Sequence, residues 1–370
     1  MRILFVTRKF PPARGGMERL AHELFQHLSG LADVTLLKWG GSNKWLPLVA
    51  PYLFLSSVAV QLLARADVVY LQDGLLAPLG LPLKLFRKPI VATVHGLDIT
   101  YDNRLYQCIV PACLKRLDSV ICVSEATRLE CIKRGVPETK TVVIPNGVAD
   151  TFHVELDDEA RNKLRQHVSD RLGLDLVDKK VILSTGRLVE RKGFHWFASA
   201  VMPKLLAEEK ECVYLVVGEG PYRERIQQAA AEVNELRGHV IVLNQADDEM
   251  LRQLYNVADI HVLPNMPVKG DMEGFGIVAL EASSCCLPVV ASRLEGIEQA
   301  VKHGQNGYLF EPGNADEAAS TVLRLLKDAQ ERRQAGLRGR EFTLRTYSYA
   351  RIAAMYLDQF QRARQDKAAR

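Results

Sequence analysis

The strongest constraint on this chain is an alternation. Continuous apolar runs of strand length recur between segments of helical period, first at residues 2–7, 34–39, 67–71, 89–95, 119–123 and 141–144. A run that is apolar at every position, not at every second one, reads as a strand buried on both faces. Such strands pair in parallel beneath crossover helices. Residues 17–28 show the helical half of the pattern, with Leu20, Leu24 and Leu28 recurring every four residues opposite Glu18, Arg19 and Glu23. The alternation pauses after Pro145-Asn146-Gly147, where a polar stretch from about residue 150 to 180 holds one helical segment and no strand. It restarts at 181–184, 213–217, 240–243, 260–263, 288–291 and 308–310. The expected fold is therefore α/β: two doubly wound, Rossmann-like parallel-sheet domains, 1–150 and 151–345, facing a cleft. Residues 346–370 are expected to form a C-terminal helix that packs back on the first domain.

Composition narrows the class. At 48% hydrophobic and 25% charged residues, the chain is an ordinary globular one, neither disordered nor fibrous. The net charge of +4 is uneven: Met1 to Asp150 carries 18 Lys/Arg against 12 Asp/Glu, and the remainder 30 against 32. That asymmetry suits an anionic surface, whereas nucleic acid is disfavoured, since no basic stripe with interleaved aromatics occurs. The seven cysteines form no C-x-x-C pair and read as buried free thiols of a reducing compartment. No signal-peptide pattern precedes the first strand, so a cytoplasmic protein is expected. Residues 45–64 lack any charge but contain Pro47 and Pro51. They read as a buried or interfacial helix pair, and the nearby Lys38, Lys44, Arg65, Arg87 and Lys88 leave open a contact with anionic lipid.

Four constellations are placed to do chemistry. Pro11-Pro12-Ala13-Arg14-Gly15-Gly16 follows the first strand and opens a helix, where paired glycines and unpaired amides suit a phosphate. Gly186-Arg187-Leu188-Val189-Glu190-Arg191-Lys192-Gly193 follows a strand of the second half and brings an Arg and a Lys to a strand end. Glu273-Gly274-Phe275-Gly276-Ile277-Val278-Ala279-Leu280-Glu281 spaces two carboxylates a little over two helical turns apart, which would put both on roughly one face. Thr93-Val94-His95-Gly96-Leu97-Asp98 ends a strand with a histidine able to hold a hydroxyl or share a proton. The dinucleotide fingerprint is met neither at Gly15-Gly16 nor at Gly218-Glu219-Gly220, where Arg223 stands in place of the third glycine. That absence weighs against a nicotinamide-dependent oxidoreductase, the alternative from another enzyme class.

Taken in order, PPARGGME, THGLD, CVSE, VIPNGV, GRLVERKG, VVGEGP and EGFGIVALE resemble glycosyltransferase family 4, the retaining nucleotide-sugar transferases of GT-B architecture. The resemblance implies roles residue by residue. Arg187 and Lys192 match the pyrophosphate-binding pair, Glu281 the ribose-binding glutamate, and Glu273 the glutamate beside the donor sugar. The amides of Phe275, Gly276 and Ile277 would lie close to sugar and phosphates, and Gly186, Gly218 and Gly274 belong to the same donor-binding set. Gly15 and Gly16 match the loop over the phosphates, and His95 the residue near the reactive carbon. Ser124 and Asn146 match cleft-lining positions. His95, Arg187, Lys192 and Glu273 would carry the catalysis.

The implied reaction transfers a sugar with retention from a UDP- or GDP-linked donor, the only co-substrate, to a lipid-linked or growing glycan acceptor in bacterial cell-surface polysaccharide or glycolipid synthesis. A soluble small-molecule acceptor is the near alternative, and a catalytically silent binding protein a further one. No permanently bound cofactor and no metal are expected; no D-x-D occurs. The expected location is cytoplasmic, peripheral at the inner face of the cell membrane. One departure stands out: many members have a Gly-Gly-Ile/Val turn where this chain has Leu294-Glu295-Gly296-Ile297.

Overall fold

The computed structural model describes residues 1–13, 15–39, 41, 46–63, 65–232, 236–244 and 246–369, with the side chains of 46–48, 50 and 63 also outside the description. Arg14 of the glycine loop, Lys44 and both ends of the 45–64 stretch therefore lie outside the described residues. The chain divides into two compact units.

The first unit comprises Met1–Gly147, Gly270–Phe275 and Tyr347–Arg370. Its sheet is six-stranded and parallel, in the order β2-β1-β3-β4-β5-β6. The strands are β1 (Arg2–Thr7), β2 (Asp33–Lys38), β3 (Val68–Leu71), β4 (Ile90–Val94), β5 (Ser119–Cys122) and β6 (Thr141–Val143). β3 to β5 are buried at every position, which is why they read as continuous apolar runs. One face packs against the C-terminal helix Tyr349–Ala368, whose Ile352, Tyr356, Phe360 and Ala363 lie on one stripe against Phe5, Tyr70, Val91 and Ile121. Two buried tyrosine hydroxyls are satisfied there: Tyr70 Oη lies 2.8 Å from Thr93 Oγ1, which lies 3.2 Å from Tyr356 Oη. The other face carries the helices Leu46–Leu63, Ala77–Leu83 and Arg104–Leu114.

The stretch expected as a helix pair is one helix, Leu46–Leu63, running through Pro51. Pro47 falls in its first turn, where a missing N–H breaks no helical bond. The helix is partly inverted, with two polar side chains among its buried ones and large apolar ones on its exposed side. Its inner stripe of Val49, Leu53, Ser57 and Gln61 is buried, whereas Tyr52, Leu55 and Leu62 are exposed. Among the described residues, no helix is long and apolar enough to cross a membrane.

The second unit comprises Val148–Lys269 and Gly276–Thr346. Its parallel sheet runs in the order β12-β11-β10-β7-β8-β9. The strands are β7 (Lys180–Thr185), β8 (Cys212–Val217), β9 (Val240–Leu243), β10 (Ile260–Leu263), β11 (Val289–Ser292) and β12 (Tyr308–Phe310). The polar stretch before β7 holds the helix Asp158–Leu172, capped by the Asp157 side chain and stopped by Gly173 in the left-handed conformation. Arg161 and Arg165 of this helix reach Asp259 at the start of β10, at 3.2 and 2.9 Å. The cysteines are free and five are buried, but Cys286 is half-buried and Cys108 is exposed on the outer side of its helix, so burial does not explain all seven.

Candidate active site

In an open α/β sheet the ligand site lies at the carboxyl ends of the strands, where the strand order reverses. The first sheet reverses between β1 and β3, the second between β7 and β10. The residues singled out in the sequence all follow the carboxyl ends of strands. In the first sheet Gly15 and Gly16 come after β1, His95 after β4, Ser124 after β5 and Asn146 after β6; in the second the turn 186–192 comes after β7, Gly218 after β8 and the segment 273–281 after β10.

In the first unit His95 follows β4 directly. Its Nε2 donates a hydrogen bond of 2.8 Å to the Gln72 carbonyl, just beyond β3. A carbonyl only accepts, so the ring proton sits on Nε2, and Nδ1 is buried without a hydrogen-bond partner. The turn beneath the ring is fixed by Asp98, whose Oδ1 accepts from the His95 amide at 2.7 Å and whose Oδ2 accepts from the Gly74 amide at 2.9 Å. Burial pushes the Asp98 carboxyl above its ordinary range, against the opposing pull of His95 and of these amides. Gly96 has φ +103°, and its missing side chain admits Gly274: a Cβ on Gly96 would stand 2.6 Å from Gly274 Cα, and one on Gly274 only 1.8 Å from the His95 carbonyl oxygen. His95 and Gly274 are thus brought together inside this unit, and Glu273 is buried beside them in sequence.

Gly15 and Gly16 lead into the helix Gly16–Ser29, with Gly15 at φ +153° as its cap residue. The Glu18 carboxylate packs against Gly15, 2.5 Å from where a Cβ would be, and is paired with Lys9 at 3.0 Å. Ser124 is wholly buried. Its hydroxyl caps the helix Glu125–Lys133 by accepting from the Thr127 amide at 3.1 Å, so the CVSE pattern is explained by capping. Asn146 is buried after β6, and Gly147 leaves room for the Tyr349 ring.

In the second unit the turn after β7 is built by glycines. A Cβ on Gly218 would stand 1.8 Å from the Gly186 carbonyl oxygen, one on Gly220 2.3 Å from that of Leu188, and one on Gly193 1.9 Å from that of Pro264. VVGEGP is thus the mould against which GRLVERKG is cast. On that turn Arg187 is exposed and Lys192 buried, with the lysine side chain lying alongside Gly186. His261 of β10 lies fully buried nearby; burial and the Lys192 charge push its pKa down to about 3, so the ring is neutral. Glu281 is buried in the helix Ile277–Ser284 and accepts a hydrogen bond of 3.0 Å from the Tyr255 hydroxyl.

One expectation is corrected here. The helix begins at Ile277, after Gly276 in the left-handed conformation at φ +83°, so Glu273 precedes it and does not share a helical face with Glu281. The two glycines of Glu-Gly-Phe-Gly stop the helix short of Glu273. Phe275 is buried, its ring edge-on to Tyr347 at 6.2 Å. At the departed turn, Glu295 itself takes the left-handed conformation, φ +46°. Among the described residues no group of three His, Cys, Asp or Glu side chains is near enough to share an ion. The residues that sequence reasoning missed are Gln72, Asp98, Thr185, Tyr255 and His261. Only Asp98, inside THGLD, carried a signal.

The family is shown by comparison with known proteins. Residues 14–152 match the model described as Glycosyltransferase Family 4, and residues 173–342 that of the Glycosyl transferases group 1. The chain is 29% identical to a GDP-mannose-dependent alpha-(1-6)-phosphatidylinositol monomannoside mannosyltransferase of Mycolicibacterium smegmatis, over 95% of this chain and 97% of that one. It is 32% identical to an uncharacterized glycosyltransferase of Methanocaldococcus jannaschii, over 71% of this chain and 67% of the other. Among solved structures it resembles sucrose-phosphate synthase from Thermosynechococcus elongatus, with TM-score 0.77, 22% identity and full coverage of both chains. It also resembles Anabaena HepE in complex with UDP, with TM-score 0.76, 21% identity and coverage of 98% and 100%. The chain belongs to glycosyltransferase family 4 and has the two-sheet GT-B fold of these enzymes.

Proposed function

We propose that this protein transfers a sugar, with retention, from a nucleoside-diphosphate sugar to a lipid-linked or growing glycan acceptor in cell-surface glycolipid or polysaccharide synthesis. Its first candidate donor is GDP-mannose, the donor named for the mycobacterial relatives. The observation that carries the reading is Lys192: a cation 7% exposed, on a turn moulded by three glycines, at the switch point of a parallel sheet. A lysine held there stands where an open parallel sheet binds its ligand, and its charge suits an anionic one.

In this reading Lys192 and Arg187 bind the diphosphate and stabilise the charge that collects on it as the glycosidic bond breaks. Glu281 receives the ribose hydroxyls. Glu273 and the amides at Phe275, Gly276 and Ile277 hold sugar and phosphate, and Gly15, Gly16, Gly186, Gly218 and Gly274 let the backbone approach. His95 offers Nδ1, its acceptor nitrogen, to a donor-sugar hydroxyl. The acceptor hydroxyl enters on the face from which the diphosphate leaves and passes its proton to a phosphate oxygen, so no carboxylate nucleophile is required.

The lipid part of the reading rests on the first unit. Of the large hydrophobic side chains exposed among the described residues, all but Leu337 belong to it. Tyr52, Leu55 and Leu62 come from the partly inverted helix, Leu85 follows the next one, and Leu105 and Ile109 share a face of the third. Arg65, Arg87, Arg104, Lys115 and Arg116 are exposed on the same run of chain, against one exposed acid, Asp102, among the described residues. Exposed apolar and basic side chains on one run of chain suit an anionic bilayer surface, which supports the reading of a protein peripheral at the inner face of the membrane.

The test is thermal stability with uridine, guanosine, adenosine and thymidine diphosphates and with NAD. A ligand at about 100 times its Kd stabilises by roughly 2.7 kcal/mol. A shift with one nucleoside diphosphate is expected; a shift with NAD alone, or with none, overturns the reading. Sedimentation with anionic liposomes at low salt tests the lipid part, and absence of binding there favours a soluble acceptor.

A further inference from the structure

Behind Glu281, at the switch point of the second sheet, lies a line of buried polar side chains. The Tyr255 hydroxyl donates to Glu281 Oε2 at 3.0 Å, Tyr255 Oη lies 2.9 Å from Thr185 Oγ1, and Thr185 Oγ1 lies 3.1 Å from His261 Nε2. Tyr255 is 1% exposed, Thr185 5%, His261 0% and Glu281 6%. A hydroxyl has a single proton to give, so the line has one direction. Tyr255 gives its proton to the carboxylate and therefore accepts from Thr185. Thr185, having given its own, accepts from His261, whose ring proton is thereby assigned to Nε2. Every link points toward the negative end, and aligned hydrogen bonds in a medium of low polarity strengthen one another.

The line also ties together elements that are distant in sequence. His261 is on β10 and Thr185 is the last residue of β7, immediately before Gly186 and the turn that bears Lys192. Tyr255 is in the helix Asp248–Val257, where Phe152 meets its ring edge-on at 5.7 Å, and Glu281 is in the helix Ile277–Ser284. Without it, a glutamate on a helix has three rotatable bonds to settle before its carboxylate faces one way.

We infer that Tyr255 is a positioning residue: its hydroxyl, backed by Thr185 and His261, holds the Glu281 carboxylate in the orientation that receives the hydroxyls of a nucleoside ribose. The inference rests on the reading of Glu281 as the ribose-binding group. It assigns a purpose to three side chains that act through Glu281, and it ties ribose recognition to the root of the phosphate-binding turn.

The experiment compares Tyr255→Phe with the parent chain by calorimetric titration with GDP and 2′,3′-dideoxyguanosine diphosphate, and with the corresponding uridine pair. Tyr255→Phe removes one oxygen and keeps the ring that packs on Phe152. The parent chain should prefer the ribonucleotide. Tyr255→Phe should weaken ribonucleotide binding about 10-fold, the scale of a hydrogen bond to a charged group, and change dideoxynucleotide binding by less than about two-fold. Thr185→Ser, which keeps the hydroxyl, should behave as the parent does, and Thr185→Val should follow Tyr255→Phe. An equal loss for both nucleotides makes Tyr255 a packing residue and overturns the inference, as does no loss for either. If the parent chain binds the two nucleotides of a pair equally, the ribose reading of Glu281 itself is overturned. If it binds none of the four, the transferase reading falls.

Discussion

Replacing Gly218 by alanine tests whether the second unit's turn is moulded as described. Gly218 has φ +154°, a conformation that side chains rarely adopt, and the new Cβ would stand 1.8 Å from the Gly186 carbonyl oxygen. Real Cβ atoms keep beyond 3.0 Å, so one backbone must withdraw by more than 1 Å. Neither is loose: the Gly186 amide donates to the Val217 carbonyl at 3.0 Å and the Gly218 amide to that of Leu243 at 3.3 Å. The conformational strain costs about 1–2 kcal/mol and the overpacking about 1–3, for a total of about 2–5 kcal/mol. Gly173→Ala supplies the control, because Gly173 is also left-handed, at φ +65°, but nothing lies within 4 Å of its Cβ position. It should lose only the strain, about 1 kcal/mol. Urea unfolding at constant m-value measures both. Gly218→Ala should also weaken nucleoside-diphosphate binding, since the displaced carbonyl begins the turn that bears Lys192, whereas Gly173→Ala should not. Equal destabilisation by the two substitutions would refute the moulding argument.

Three further outcomes are expected. Lys192→Ala should reduce turnover by about 10²-fold or more, as for loss of one preorganised charge, and near-normal turnover would remove Lys192 from the phosphate site. His95→Ala should lower kcat while leaving nucleoside-diphosphate affinity within about two-fold, because His95 belongs to the first unit and Lys192 and Glu281 to the second; a collapse of that affinity would contradict the assignment. Asp259→Ala should destabilise by about 3–5 kcal/mol by stranding the buried Arg165, read by urea unfolding at pH 7. Burial alone would raise the Asp259 carboxyl, but Arg165 and Arg161 outweigh it and hold it below its ordinary 3.8. Its contribution is therefore complete above that value and lost as pH falls through the lower folded value, so the gap between parent and variant should close in that acid range.

Each of the twelve expected runs is a strand, with ends within one residue. The inner strands were legible because parallel, doubly covered strands are largely apolar, and the half-exposed edge strands β2, β6 and β9 because at least half of each is still apolar. Strand order was not legible, since the pairing of β1 with β3 or of β7 with β10 depends on crossovers whose direction no local pattern records. The helix at 46–63 misled because two prolines suggested a break, and because its polar residues Ser57 and Gln61 face inward while Leu55 and Leu62 face out. Its inner hydroxyl is satisfied locally, Ser57 Oγ donating to the Leu53 carbonyl, so the inversion leaves that donor paired.

The site divides along the same line. Glycines whose missing side chains admit another backbone leave a mark in the sequence, because no other residue fits, and so VVGEGP and EGFG stood out. Side chains that act by holding other side chains leave none. A tyrosine such as Tyr255 is chemically identical in a core and in a relay, and only the 2.9 and 3.0 Å contacts on its two sides separate the cases. The departed turn at Glu295 lies between these extremes. Its left-handed φ of +46° is a conformation a glycine would adopt without strain, and the chain spends a side chain there instead. Glu295→Gly sets relief of backbone strain, worth up to about 1 kcal/mol, against loss of the interactions of the glutamate, and a rise in unfolding free energy would mean that the strain is the larger of the two. A loss of stability on this substitution would mean that the contacts of the glutamate, and not tolerance of a lost glycine, explain why it stands there.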